Sequence, residues 1–203
     1  MFNQALFSIG ISQFKIDGMN DDALVDCVKR HVKKEWNPTN DSIRDTVTAA
    51  KNLSRGINPE ESELLRLNQV VLQEGQKVLD GMIGNPDVNT VKVNITRMWG
   101  NDGLNNDIAI PHVHRDSFLS AVYYPKADDG SIHFYSPWND AILAHIPVGR
   151  TKNFHEYNSS YYSFDAKKGW LYLFPSMLTH YVPPTPGERI SIVYDIGVID
   201  ESI

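Results

Sequence analysis

Two histidines separated by a single residue are the first feature of this chain that could do chemistry. His112 and His114 flank Val113, and residues two apart in an extended strand point to the same side of it. Two imidazoles close together on one side form a pair of metal ligands. His114 and Asp116 have the same spacing, with a carboxylate as the second ligand, so the sequence offers two candidate pairs.

A third histidine, an arginine and a serine lie much later in the chain. His180 follows an aromatic segment, and Arg189 comes nine residues after it. In a strand over 189–198, Arg189 and Ser191 share one face and the isoleucines share the other. If the isoleucines pack outward, the guanidinium and the hydroxyl point inward, where a buried arginine needs an anionic partner such as a carboxylate.

These residues together outline a metal site with open positions. Two ligands from one strand and the distant His180 would occupy one face of an ion and leave its other face free. That facial arrangement suits the non-haem Fe(II) oxygenases, which usually use two histidines and a carboxylate. Arg189 and Ser191 could then hold the far carboxylate of 2-oxoglutarate, whose keto-acid end chelates the metal.

The elements that must position these residues change character along the chain. Residues before about 89 predict one helix from Asp21 to about Trp36, and a second that Asn58 caps. From about 89 onward, short alternating segments separated by glycine and proline turns predict a sandwich or barrel. The predicted strands are 5–15, 91–95, 117–124, 131–136, 160–165, 170–174, 178–182 and 189–198.

Composition narrows the class of protein. A chain of 203 residues that is 41% hydrophobic can bury the core of one domain. Its formal charge is −6 and no face or tail is basic, so general attraction to nucleic acid is not expected. The single cysteine, Cys27, favours a reducing, cytoplasmic (intracellular) location. The sequence predicts neither a signal peptide nor a membrane helix, which needs ~20 apolar residues.

The combination of segments resembles the 2-oxoglutarate/Fe(II)-dependent dioxygenase superfamily, in particular its group with a His-x-His first pair. The matching segments are 112–124, 130–137, 169–176 and 180–191, and the likeness covers about 90–200. The resemblance implies a mainly β fold with an α annex, in which a double-stranded β-helix (jelly roll) spans 89–203. Residues 1–88 would be its largely helical support, within one domain over 1–203. It also implies O₂ as oxidant and prolyl-hydroxylase-like hydroxylation of a substrate that the sequence does not identify.

The resemblance also assigns roles to residues. The expected ligands of Fe(II), which would carry catalysis, are His112, His114 and His180. The expected contacts of the co-substrate 2-oxoglutarate are Arg189, Ser191, Tyr123 and Tyr135. The superfamily's usual first pair is His-x-Asp or His-x-Glu, so this chain departs from the pattern unless His114 and Asp116 are the pair. The short distance from His114 to the strand at 117–124 favours His112 and His114, with Asp116 in a turn.

Two other classes of protein fit the same residues. A cupin-like metal-dependent isomerase or lyase would use the three imidazoles without 2-oxoglutarate, and Arg189 would hold a substrate anion. A non-catalytic jelly-roll binding protein would carry the histidines incidentally. Metal uptake separates the last from the other two, and a response of the metal site to 2-oxoglutarate separates the dioxygenase from the cupin-like enzyme.

Overall fold

Two antiparallel sheets and two helices make up the part of the chain that the computed structural model describes, residues 9–31, 51–52, 61–83, 90–103, 107–137, 159–184 and 186–202. The helices are α1 (Asp21–His31) and α2 (Ser62–Ile83). The strands are β1 (Ser12–Lys15), β2 (Lys51–Asn52), β3 (Val91–Gly103), β4 (Ala109–His112), β5 (Leu119–Ala127), β6 (Ser131–Tyr135), β7 (Tyr161–Asp165), β8 (Trp170–Pro175), β9 (His180–Val182) and β10 (Arg189–Asp200).

The two sheets lie in layers. The large sheet has the strand order β1-β8-β5-β10-β3-β2, and the small sheet has the order β4-β9-β6-β7. Helices α1 and α2 pack on one face of the large sheet, and the small sheet covers its other face. This mainly β architecture with a helical annex confirms the jelly-roll class that the sequence predicts.

Two separate cores lie on the two faces of the large sheet, because successive side chains of its central strands point to opposite faces. A helix-facing cluster joins both helices to the large sheet through residues such as Leu67, Tyr123 and Ile192. An inter-sheet cluster fills the space between the sheets with residues such as Tyr124, Phe134 and Phe174. A large sheet covered on both faces explains why its central strands, β5 and β8, are almost continuously apolar.

Two β-bulges in the large sheet change which residues face the inter-sheet space. Opposite Asp195 and Ile196 of β10, strand β3 skips from Arg97 to Ile95, so Thr96 has no cross-strand partner. Ile95 therefore packs on the helix-facing cluster, whereas Trp99, of the same parity, packs on the inter-sheet cluster. The second bulge sets Tyr124 and Pro125 of β5 against the single residue Ser191 of β10.

The N-terminal segment differs in three respects from the sequence-based expectations. It supplies both edge strands of the large sheet, and β2 was not predicted. Helix α2 begins at Ser62, after the predicted cap, and Asn58 lies outside the described residues. The apolar stripe that its sequence predicts for the packed face includes Leu65 and Met82, but both are exposed, and the inward face carries Leu67 instead. No helix in the described ranges has the length and apolar character to cross a membrane.

Candidate active site

The three predicted histidine ligands meet between the sheets. His112 is the last residue of β4 and lies opposite His180, the first residue of β9. His114 follows β4 rather than extending it, and its backbone N–H donates to Ser176 O at 2.9 Å. One ring nitrogen from each histidine lies within 4.8 Å of the others, and no other such group of three ligands occurs among the described residues. The distant histidine therefore returns to the His-x-His pair.

Hydrogen bonds fix the tautomer of two of the rings. His112 Nδ1 donates to Ile110 O at 2.6 Å, and His180 Nδ1 donates to Leu178 O at 2.8 Å. A carbonyl oxygen can only accept, so each Nδ1 carries the hydrogen and each Nε2 keeps its lone pair. In both cases the acceptor lies two residues earlier in the chain, so the local backbone orients these rings.

The third ring has a different support. His114 Nδ1 lies 2.6 Å from Asp195 Oδ1 and 2.9 Å from Ser120 Oγ. A carboxylate at 2.6 Å from an unprotonated nitrogen would place two lone pairs against each other, so Nδ1 carries the hydrogen here as well. Asp195 is fully buried, and its other oxygen accepts from Arg97 Nε at 2.6 Å. All three histidines thus present Nε2 as the available metal ligand.

Burial keeps the innermost histidine neutral. His180 packs against the rings of Phe134 and Phe174, with centroid distances of 5.8 and 4.8 Å. This burial is the main cause that lowers the pKa of His180 to about 3, with smaller contributions from His112 and His114. A neutral imidazole is the form that binds a metal, so His180 needs no proton loss near neutral pH.

The histidines border a cavity of about 260 Å³ that also contains the predicted anion-binding residues. Arg189 and Ser191 line this cavity because β10 turns its isoleucines toward the helices. Burial lowers the pKa of Arg189, an effect that Tyr124 and Asp107 oppose. Ser191 Oγ accepts from Asn101 Nδ2 at 3.1 Å, which leaves the serine hydroxyl hydrogen free to donate to a ligand.

Both predicted tyrosines and the alternative carboxylate lie elsewhere. Tyr123 was expected to reach the co-substrate, but it faces the helices and its hydroxyl donates to Asp21 Oδ1 at 2.5 Å. Tyr135 is 38% exposed, stacks on Tyr181 at 5.2 Å and does not line the cavity. Asp116 is exposed in the turn after His114 and is not part of the converging group.

Sequence reasoning missed two residues of the site. Tyr124 lines the cavity with Arg189, at a place where Tyr123 had been expected. The sequence could not show which of the two tyrosines faces the cavity, because both lie in a strand that is apolar on both faces. Asp195 was missed because nothing in the sequence pairs it with His114, although its parity with Arg189 and Ser191 along β10 could have suggested it.

The part of the chain that contains the site also matches a known protein family. Residues 97–195 match the family model described as "Putative 2OG-Fe(II) oxygenase", a range that includes all three histidines, Arg189 and Ser191. No curated protein matches the chain in sequence.

Several solved structures share the fold at low sequence identity. An oxidoreductase of the 2OG-Fe(II) oxygenase family from Burkholderia pseudomallei superposes with a TM-score of 0.58 at 14% identity, covering 93% of this chain and 84% of the other. A Pseudomonas putida prolyl-4-hydroxylase gives 0.54 at 13% identity, covering 94% and 93%. HygX from Streptomyces hygroscopicus, solved with nickel and 2-oxoglutarate bound, gives 0.56 at 14% identity, covering 93% and 83%. At these identities the likeness establishes the fold.

Proposed function

Because this chain belongs to the 2OG-Fe(II) oxygenases, we propose that His112, His114 and His180 hold the Fe(II) of an oxygenase that hydroxylates an unidentified substrate. The protein is an oxidoreductase, and its cofactors are Fe(II) and the co-substrate 2-oxoglutarate. The observation that carries the proposal is that three Nε2-presenting histidines and a half-buried arginine line one cavity.

The donor set fits the metal. Three imidazoles that converge from one side can bind an ion facially, and each has its Nδ1 hydrogen already engaged. Bound Fe(II) would supply O₂ activation coupled to the oxidative decarboxylation of 2-oxoglutarate to succinate and CO₂, the chemistry that hydroxylates a C–H bond. The protein contributes ligand geometry, charge and exclusion of water.

We assign the distal carboxylate of 2-oxoglutarate to Arg189 and Ser191. The guanidinium offers a planar fork of donors to a carboxylate, and Asn101 orients the serine hydroxyl beside it. Tyr124 lines the same cavity and its burial raises the pKa of its hydroxyl, so it stays a neutral donor. The cavity is slightly smaller than the roughly 300–1,000 Å³ pockets of drug-sized ligands, which suits a small dianion.

The test of the metal and co-substrate assignment needs no knowledge of the substrate. Anaerobic addition of Fe(II) and 2-oxoglutarate should give a weak visible metal-to-ligand charge-transfer band in the wild type. Arg189→Ala should lose the band at the same 2-oxoglutarate concentration but still take up Fe(II), and Lys167→Ala, an exposed change, is the control. Metal uptake without any band in the wild type would favour the cupin-like alternative, and no metal uptake would favour the binding protein.

Prolyl-hydroxylase-like chemistry is the finer part of this proposal. It is supported by the shared fold with the Pseudomonas putida prolyl-4-hydroxylase, which aligns over nearly the whole of both chains. With O₂ present, a proline-containing peptide should raise succinate formation above the uncoupled rate and gain the mass of one oxygen atom. The same peptide with alanine in place of proline should do neither. Equal succinate with both peptides would contradict proline as the target while leaving the oxygenase assignment intact.

A further inference from the structure

The three histidines differ in what lies behind the ring. His112 and His180 each donate Nδ1–H to a neutral backbone carbonyl two residues earlier. His114 alone faces a charged group, the Asp195 carboxylate, which comes from a strand 81 positions away in the chain. A long-range, fully buried contact of this kind is not produced by local backbone geometry, so it calls for its own explanation.

Charge is the second observation. Facial Fe(II) sites usually combine two histidines with one carboxylate, which gives the ligand set one negative charge. Here the three converging residues are histidines, whose imidazoles bind a metal as neutral ligands, and Asp116 does not join them. The carboxylate that hydrogen-bonds to this group is Asp195, which contacts Nδ1 of His114.

We propose that Asp195 is a positioning residue of the metal centre, which fixes the His114 ring and supplies through it the negative charge that three neutral imidazoles lack. A carboxylate that accepts from Nδ1–H makes Nε2 a stronger donor to a metal. This inference rests on the proposed function, because it presumes that the three histidines bind a metal.

The surroundings of Asp195 direct its charge toward the ring. Asp195 Oδ1 contacts His114, while Oδ2 contacts the Arg97 guanidinium at 2.6 Å. The Arg97 side chain is 58% exposed, so solvent screens its positive charge, whereas the Asp195 side chain is fully buried. The regular register of β3 against β10 places this pair, because it sets Arg97 directly opposite Asp195. At the adjacent bulge, Thr96 Oγ1 donates to Asp195 O at 3.1 Å.

Co(II) titration of the metal-free protein, followed by its visible absorption, tests the role of Asp195. Asp195→Asn keeps the shape of the side chain and removes the charge, and it should raise the Kd for Co(II) by roughly 10–100-fold. Ser120→Ala, which removes the uncharged neighbour of the same nitrogen, should raise it less than about 3-fold, as an uncharged contact is weaker. Asp165→Asn changes an exposed carboxylate on β7 and should have no effect.

Two further readouts separate a positioning role from a merely structural one. With Zn(II) bound, ¹H–¹⁵N spectra of the wild type should show a proton on His114 Nδ1, and Asp195→Asn should move that signal upfield. The d–d bands of bound Co(II) should also shift in Asp195→Asn, because the ligand strength of His114 changes. An unprotonated His114 Nδ1 in the wild type would overturn the inference even if the variant does not fold.

The possible outcomes distinguish this inference from the proposed function. If the wild type binds Co(II) and His180→Ala does not, the metal site stands. Equal Co(II) affinity of wild type and folded Asp195→Asn would then overturn only the role of Asp195. A wild type that does not bind Co(II) would remove the metal site and this inference together.

Discussion

The two faces of strand β10 carry different properties of the protein. Toward the helices it presents Ile190, Ile192, Tyr194 and Ile196, and each of these is fully buried in the helix-facing cluster. Toward the small sheet it presents Arg189 and Ser191 at the cavity and Asp195 behind His114. One strand therefore anchors the fold with one face and builds the site with the other.

Because the two faces are separate, stability and chemistry can be changed independently in this strand. Apolar residues on the helix-facing side contribute through area removed from water, at about 25 cal/mol per Å². Polar residues on the other side cost free energy to bury and are retained with specific partners, such as Arg97 for Asp195. Substitutions on the first face should alter unfolding, and substitutions on the second should alter ligand binding.

The largest effect is expected for His180→Ala, on the cavity side. Loss of one of three ligands should abolish tight Fe(II) binding, a larger effect than the roughly 10–100-fold change expected for an outer contact. The measurement is anaerobic Fe(II) titration, with His133→Ala as the control because His133 stacks on Tyr161 away from the cavity. Unchanged Fe(II) affinity would remove His180 from the site.

Ile192→Ala and Val193→Ala test the two faces at adjacent positions. Ile192 is fully buried against the helices, so its truncation should lower the free energy of unfolding by about 2–5 kcal/mol. Val193 lines the cavity, where space already exists beside it, and its truncation should cost about 1–2 kcal/mol.

Urea unfolding of the metal-free variants measures both losses in the free energy of unfolding. Fe(II) titration of the folded variants then measures their metal affinity. Ile192→Ala should keep wild-type Fe(II) affinity once folded. Equal stability losses in the two variants, or a selective loss of metal affinity in Ile192→Ala, would show that the faces are not separable.

Tyr123→Phe and Tyr124→Phe apply the same comparison to β5. Loss of the hydroxyl that Tyr123 donates to Asp21 should cost about 1–2 kcal/mol of stability without altering 2-oxoglutarate affinity. Loss of the Tyr124 hydroxyl should weaken 2-oxoglutarate binding by about 3–10-fold, equivalent to one hydrogen bond, with little change in stability. Thermal unfolding measures the stability of each variant, and titration of the Fe(II) protein measures its affinity for 2-oxoglutarate. Weaker 2-oxoglutarate binding in Tyr123→Phe, with a stability loss in Tyr124→Phe, would contradict the assignment of faces.

Most of the fold could be predicted from the sequence, because alternation and turn residues are local signals. The strands at 131–136, 160–165 and 170–174 lie within a residue of β6, β7 and β8. Strand β4 was not among the predicted strands, and α2 begins at Ser62 rather than directly after the predicted cap Asn58. His114, expected on one strand with His112, lies beyond the end of β4.

The site was only partly predictable, for a reason that the bulges make clear. The sequence indicates that Arg189 and Ser191 share a face, but it does not indicate where a bulge reverses the alternation. At Thr96 such a reversal turns Ile95 toward the helices although Trp99, of the same parity, lines the cavity, and no local pattern indicates it. On β5, both Tyr123 and Tyr124 are buried, so composition could not tell which one faces the cavity.

The smallest effect is expected at Asp116, the alternative ligand. This residue lies in the turn after His114 with φ of 64°, a left-handed conformation that glycine and asparagine adopt more readily than alanine. Asp116→Asn and Asp116→Gly should therefore fold as well as the wild type, and Asp116→Ala should lose about 1–2 kcal/mol of stability. None of the three should change Fe(II) affinity by more than about 2-fold, because Asp116 is exposed and outside the converging group. Fe(II) titration of Asp116→Asn is the decisive measurement, since it removes the carboxylate's charge without disturbing the turn. A collapse of metal binding in that variant, with His112→Ala unaffected, would make His114 and Asp116 the pair and would move the metal from the inter-sheet cavity toward the surface turn.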